Sequence, residues 1–188
     1  FTSKPATTPA ELKKLKLAVG GLTSPALANA FKSAGFLTAN VPADKYMSAI
    51  TNGDIEGLFT IPMYAFAAGY AKTLNNVINI PLAPVMVTMV ISQSEWDTIP
   101  EKYKPALLDS IRRAEATFVR DQQKNDNDYL NRCKAAGCKS FDPTPAQRKV
   151  WEDQFQKDMP HMYSGSTPVV DKALYDDISA FLKEMRGE

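Results

Sequence analysis

Apolar positions in this chain fall into two recurring spacings. Short runs at 15–19, 36–40, 55–59 and 76–80 have the length and composition of strands. Between them, 24–34, 43–51 and 63–72 read as helices. Repeated strand–helix alternation predicts an α/β fold, a mainly parallel sheet with helices covering both faces. The run at 82–92 is rich in valine and carries no charge. It reads as a further, buried strand.

Punctuation supports this parsing. Thr8-Pro9-Ala10-Glu11, Ser24-Pro25-Ala26 and Thr144-Pro145-Ala146-Gln147 each put a hydroxyl at a helix cap and proline at the first helical position. Two of them add the Glu or Gln of a capping box. Thr167-Pro168 predicts a last helix in the same way, with Val170, Leu174, Ile178, Phe181, Leu182 and Met185 at helical spacing.

The segment 105–136 carries Leu107, Leu108, Ile111, Phe118 and Val119 in its first half and Tyr129, Leu130 and Cys133 near its end. Nine consecutive polar residues, 120–128, separate the two stripes. One helix of this length would run about 48 Å, more than the width of a small domain. Two apolar ends around a solvated middle suit a helix that packs on two bodies and crosses the gap between them. Two helices joined by a polar loop are the alternative.

Charge and composition narrow the function. Lys and Arg number 22 against 21 Asp and Glu, so no basic or acidic field argues for nucleic acid or an anionic membrane. No apolar run approaches the roughly 20 residues needed to span a bilayer. No phosphate-binding loop, dinucleotide fingerprint or metal-binding helix occurs. Gly20-Gly21 ahead of Ser24 is a weak anion-cradle signal, and a plain turn accounts for it. His161 is the only histidine, and nothing places a nucleophile and a carboxylate beside it. Glu56 has no evident partner carboxylate for acid–base work. These features predict no enzyme, no cofactor and no metal.

The densest stretch is 41–62, VPADKYMSAITNGDIEGLFTIP. A short helix from Pro42-Ala43 would carry Tyr46, Met47 and Ile50 and stop at Asn52-Gly53. A strand would then present Leu58, Phe59 and Thr60 at its C-terminal edge, where open α/β sheets bind ligands. With Pro42, Asp44, Tyr46, Ala49, Gly53, Glu56 and Gly57, this stretch resembles the solute-binding subunits of tripartite ATP-independent periplasmic (TRAP) transporters. The resemblance extends through Thr8-Pro9-Ala10-Glu11-Leu12, Ser94-Glu95-Trp96 with Ile99-Pro100, and 178–186.

That resemblance implies a periplasmic-binding-protein-like sheet with helices on both faces. It divides the chain into second-lobe α/β structure at 1–82 and a crossover strand and turn at 83–100. A long interlobe spine helix at 101–137 and a C-terminal strand and helices at 138–188 complete it. Family members have two lobes, so most of an N-terminal lobe is expected to be missing or to exist as a complementary fragment. The implied partners are a small-molecule solute and the membrane subunits of the transporter. The implied location is the periplasm, with a lipid anchor conceivable through an N-terminal region absent from this chain. Cys133 and Cys138 flank Lys-Ala-Ala-Gly at an expected helix end. In an oxidising periplasm a tight disulfide is feasible there; two small side chains packing at a turn is the other reading.

The departures from the family pattern point to the ligand. Members end the first strand with an arginine whose planar guanidinium holds a ligand carboxylate. Ala18 stands at that place here, and Lys16 shares its face. Leu58-Phe59-Thr60 replaces a polar Gln-Glu-Asn run. A carboxylate buried without its cation would lose a charge-assisted bond and still be desolvated. The expected ligand is therefore apolar or amphipathic, lined by Ala18, Leu58, Phe59, Thr60, Tyr64, Pro81 and Leu82. The competing expectation is an interaction module that keeps the fold without binding a small solute.

Overall fold

The computed structural model describes residues 1–19, 25–81 and 88–187. Two helix caps form where hydroxyl and proline coincide, and a third forms on a serine without proline. Thr8 caps α1 (Pro9–Leu12) and Thr144 caps α7 (Pro145–Asp158), each through a reciprocal capping box with Glu11 or Gln147. Ser92 caps α5 (Gln93–Thr98).

Among the described residues, five short strands alternate with these helices: β1 (Lys16–Ala18), β2 (Leu37–Thr38), β3 (Gly57–Leu58), β4 (Asn76–Ile78) and β5 (Lys139–Phe141). β1 is flanked by β2 and β3 in parallel register, with Leu17 opposite Thr38 and Gly57, while β4 and β5 pair in parallel. The chain start joins the two groups. Thr2 bridges antiparallel to both Gly57 and Asn76, exchanging N–H···O bonds of 2.7 and 3.0 Å with Asn76. A single bridging residue carries no alternation, so the sequence gives no sign of this inserted segment.

Adjacent positions in β1 face opposite sides. Ala18 packs with Tyr46, Ala49, Ile50, Ile55, Leu58, Tyr70 and Leu74, under α3 (Tyr46–Asn52) and the 3-10 turn Tyr70–Lys72. Leu17 packs on the other side with Leu12, Leu15, Phe36 and Trp151. Helices therefore cover both faces, as predicted. Trp151 anchors α7 by donating its indole N–H to the Thr7 carbonyl at 3.1 Å. Lys13 and Asp158 add a largely buried ion pair of 2.7 Å between α1 and the end of α7.

Glycine matters at two points. Gly53 ends α3 at φ +78°, a left-handed position, with its N–H shared between Ala49 and Ile50 carbonyls. Gly57 is a close approach: a Cβ there would stand 2.5 Å from Leu17 Cδ2 and 3.1 Å from Thr2 Cγ2.

The segment after Pro100 is a single 32-residue helix, α6 (Lys104–Ala135), so the two-helix alternative does not hold. Its C-terminal end buries Leu130 and Cys133 beneath β4, and Phe66 of α4 (Pro62–Ala67) meets Tyr129 at 6.0 Å. Most of its first half is exposed, including Leu107, Leu108, Phe118 and Val119.

Two expectations need correction. Of the valine-rich run, 82–87 lies outside the described residues. Residues 88–92 are exposed and outside any strand, with Val90 84% accessible. Lacking strand neighbours, those side chains have nothing to pack on. The last helix, α9 (Lys172–Arg186), starts after Thr167-Pro168, where Asp171 accepts from Leu174 N–H at 3.1 Å. The chain between turns back onto α8 (Pro160–Tyr163), as Val169 N–H donates to the Met162 carbonyl at 2.8 Å. The cap predicted at Ser24 and the turn at Gly20-Gly21 lie outside the described residues.

Candidate functional site

The strand ends of β1 and β3 lie side by side, with Ala18 directly opposite Leu58. That register puts the residue standing in the arginine's place on the face covered by α3. Ala18 is 0% exposed and Leu58 3%. Both are core side chains that shape the rim from behind and do not line an open surface. A strand of two or three residues whose edge is roofed by a helix leaves little of its last side chain to solvent. Both were expected to line the solute site, and the structure places them one layer behind its exposed rim.

What covers them is aromatic. Tyr70 meets Tyr46 at 6.4 Å and Tyr64 at 5.6 Å between ring centroids, both edge-to-face. Tyr46 and Tyr70 are buried, while Tyr64 is 47% exposed and forms the outer edge of the cluster. Burial, together with the neighbouring Tyr64 hydroxyl, pushes the Tyr70 phenol up to about 12. Burial and then Tyr64 raise Tyr46 as well. Tyr46 and Tyr70 therefore stay protonated and uncharged over the neutral range. Every arginine of the chain lies at position 112 or beyond, so the sheet and helices of 1–81 contain no guanidinium.

The other predicted residues divide between two places. Phe59 is half-buried and turns to the opposite side of the sheet, where it meets Phe31 with the rings tilted and 5.3 Å between centroids. Alternation along β3 sends it away from Leu58. Thr60 is half-buried just past the strand, and Pro81 is exposed. Leu82 lies outside the described residues. Tyr64 joins Ala18 and Leu58 through Tyr70, which sequence reasoning had not singled out. A left-handed glycine, Gly69, interrupts the helical spacing between Tyr64 and Tyr70 and hides their proximity. The one available signal was a pair of tyrosines flanking an alanine-rich turn.

Groups weighed for catalysis have structural partners. Glu56 accepts from Lys4 Nζ at 2.6 Å and from the Lys16 N–H at 3.2 Å, tying the chain start to β1. The Lys4 hydrogen bond and then the Lys16 N–H hold its carboxyl below the usual range. His161 sits half-buried on the short α8. Cys133 and Cys138 are both buried and are free thiols in this structure, without the cross-link that an oxidising periplasm makes feasible.

Two concave regions lie away from the tyrosines. One, of about 240 Å³, is bounded by Pro5–Thr7 and the neighbouring parts of β4 and β5. The other, about 480 Å³, is an open depression along α6 lined by Arg113, Ala114, Thr117, Phe118, Asp121 and Asn125. Leu174, Ile178, Phe181, Leu182 and Met185 form an exposed apolar stripe on α9. Among the described residues no helix is long and apolar enough to cross a membrane.

Comparison with known proteins places this architecture. Solved TRAP periplasmic solute-binding proteins share the fold. One from Actinobacillus succinogenes 130Z, with bound L-galactonate, is 18% identical. It superposes with a TM-score of 0.79 over 97% of this chain and 58% of its own. One from Desulfovibrio salexigens DSM2638, in complex with diglycerolphosphate, is 20% identical, with a TM-score of 0.75 over 99% and 57%. A third, from Fusobacterium nucleatum with sn-glycerol-3-phosphate, is 16% identical, with a TM-score of 0.73 over 99% and 57%. The chain thus spans little more than half the length of these proteins. A comparison with curated protein sequences finds no match. The family model for DctP, bacterial extracellular solute-binding protein family 7, matches residues 1–180. The chain belongs to that family of extracellular solute-binding proteins.

Proposed function

We propose that this chain is part of the receptor of a TRAP-type secondary transporter that takes an apolar or amphipathic small molecule and passes it to membrane subunits. The observation that carries the reading is the uncharged rim: alanine at position 18, buried beneath Tyr46 and Tyr70, in a sheet region without any arginine. The relatives with L-galactonate and sn-glycerol-3-phosphate hold molecules that bear an acidic group. Such a group needs a cation or a set of donors to repay its desolvation. Aromatic faces and phenolic or threonine hydroxyls suit a solute with an apolar body and a polar end. On this reading Tyr64, Thr60 and Pro81 approach the solute, with Ala18 and Leu58 setting the floor and Phe59 bracing the strand end from the other side of the sheet. Leu82 belongs to the same proposed wall.

The solute would lie between this lobe and a second one. The exposed apolar residues on the first half of α6 and on α9 are the surface that a second lobe would cover. Binding would then close the lobes by a hinge, with no chemistry performed on the solute. A docking module for another protein is the second reading, favoured by the exposure of Met63 and Tyr64 on α4.

Thermal shift of the intact two-lobe protein tests the choice. Long-chain or aromatic alcohols should raise Tm by several degrees at saturating concentration, and succinate or galactonate should not. A rise with the carboxylates alone would overturn the apolar reading. No rise with any solute would favour the docking module.

A further inference from the structure

The junction between α6 and β5 is built on a six-residue turn whose first and last residues are the chain's two cysteines. Gly137 adopts φ +99°, its N–H donates to the Lys134 carbonyl at 3.0 Å, and the Cys138 N–H donates to the Cys133 carbonyl at 3.0 Å. These two bonds define the Schellman helix end, in which the side chains of the first and sixth residues meet. Here those side chains are two thiols. Both enter one small cluster with Ala71, Val77 and Leu130, and the Cys138 thiol lies 3.5 Å from the Ala71 carbonyl.

We infer that Cys133 and Cys138 are joined by a disulfide in the exported protein, pinning the C-terminal end of α6 to the start of β5. The backbone bond between the two residues already holds them within disulfide reach, so closing it requires side-chain rotation and no change of fold. The chain has no third cysteine to compete for either sulfur. The family is extracellular, and disulfides form and persist in such oxidising compartments. The bond belongs to folding. Burial and the Cys138 thiol beside it push Cys133 up to about 11, which leaves little thiolate once the cluster has closed. The oxidant is a disulfide of the compartment, a catalyst's or that of oxidised glutathione. A thiolate of one cysteine attacks it to give a mixed disulfide, and the second cysteine displaces the reduced carrier. Two thiols lose two protons and two electrons, one S–S bond forms, and the carrier leaves as two thiols.

The experiment is thiol alkylation in denaturant, read by intact mass, on the 188-residue chain exported to a bacterial periplasm. The expected result is no alkylation before reduction, two alkylated cysteines after it, and an unreduced mass lower by two hydrogen atoms. Reductant should also lower Tm by about 5 °C, and the Cys133→Ser/Cys138→Ser double variant should match the reduced protein. Two alkylatable thiols in unreduced exported protein would overturn the inference. An oxidised protein whose Tm ignores reductant would overturn the pinning role.

Discussion

Tyr70 illustrates how much a single side chain decides at the rim. It is buried against Ala18 and Leu58, touches Tyr46 and Tyr64, and has its phenol raised to about 12. A phenol is neutral when protonated, so a folded-state value above the ordinary 10 means that the folded protein holds this proton more tightly. The resulting stability is fully present below about pH 10 and is lost as pH rises through 12. Ultraviolet titration of the phenolate band should show one of the seven tyrosines ionising last, and Tyr70→Phe should remove that late step. If Tyr70→Phe instead removes a step in the ordinary range, the ring is not buried as described. At this scale the sequence showed the loss of the arginine and the greasy character of 58–64. It did not show which side chains reach solvent, since period-2 alternation says only that Leu58 and Phe59 part company.

Elements were easier to read than residues. Each strand–helix alternation through residue 81 was visible as a change of apolar spacing, and the capping boxes at Thr8 and Thr144 formed as written. The two apolar ends of α6 left one helix or two open, and the family resemblance favoured the single helix that forms. The miss at α9 has a local cause: Thr167-Pro168 has cap chemistry, yet the chain first hydrogen-bonds back to Met162 and begins the helix at Asp171. The inserted segment at Thr2 was illegible because its pairing partners, Gly57 and Asn76, are distant in sequence. That segment also explains Gly57. A methyl group there would collide with Leu17 and crowd Thr2, so Gly57→Ala should destabilise the chain by about 1–3 kcal/mol, seen as a lower urea midpoint with unchanged slope. Gly53→Ala should also cost stability, through its left-handed φ, but with open space around the new methyl. An unchanged midpoint for Gly57→Ala would mean that Leu17 and Thr2 can move apart freely.

At the scale of the molecule, one face of the sheet carries the tyrosines and the other is closed by α7 through Trp151 and the Lys13–Asp158 pair. α6 projects from this body with its first half uncovered, and the apolar stripe of α9 is exposed as well. Such surfaces are rare on complete soluble domains, and they suit a chain that spans little more than half of its relatives' length. The family was legible from the order of several weak motifs, because together they specify caps, a close-approach glycine and a strand edge. The solute was not, because apolar spacing does not say which side chains at the strand edge reach solvent. The proposed solute class depends on this wall having given up charge recognition. Native mass spectrometry of the intact protein purified from its own cells, followed by solvent extraction of whatever it carries, tests that claim most directly. The extract should hold a neutral or amphipathic molecule with a substantial hydrocarbon or aromatic part; a small dicarboxylate or sugar acid in its place would mean that this wall grips charge after all.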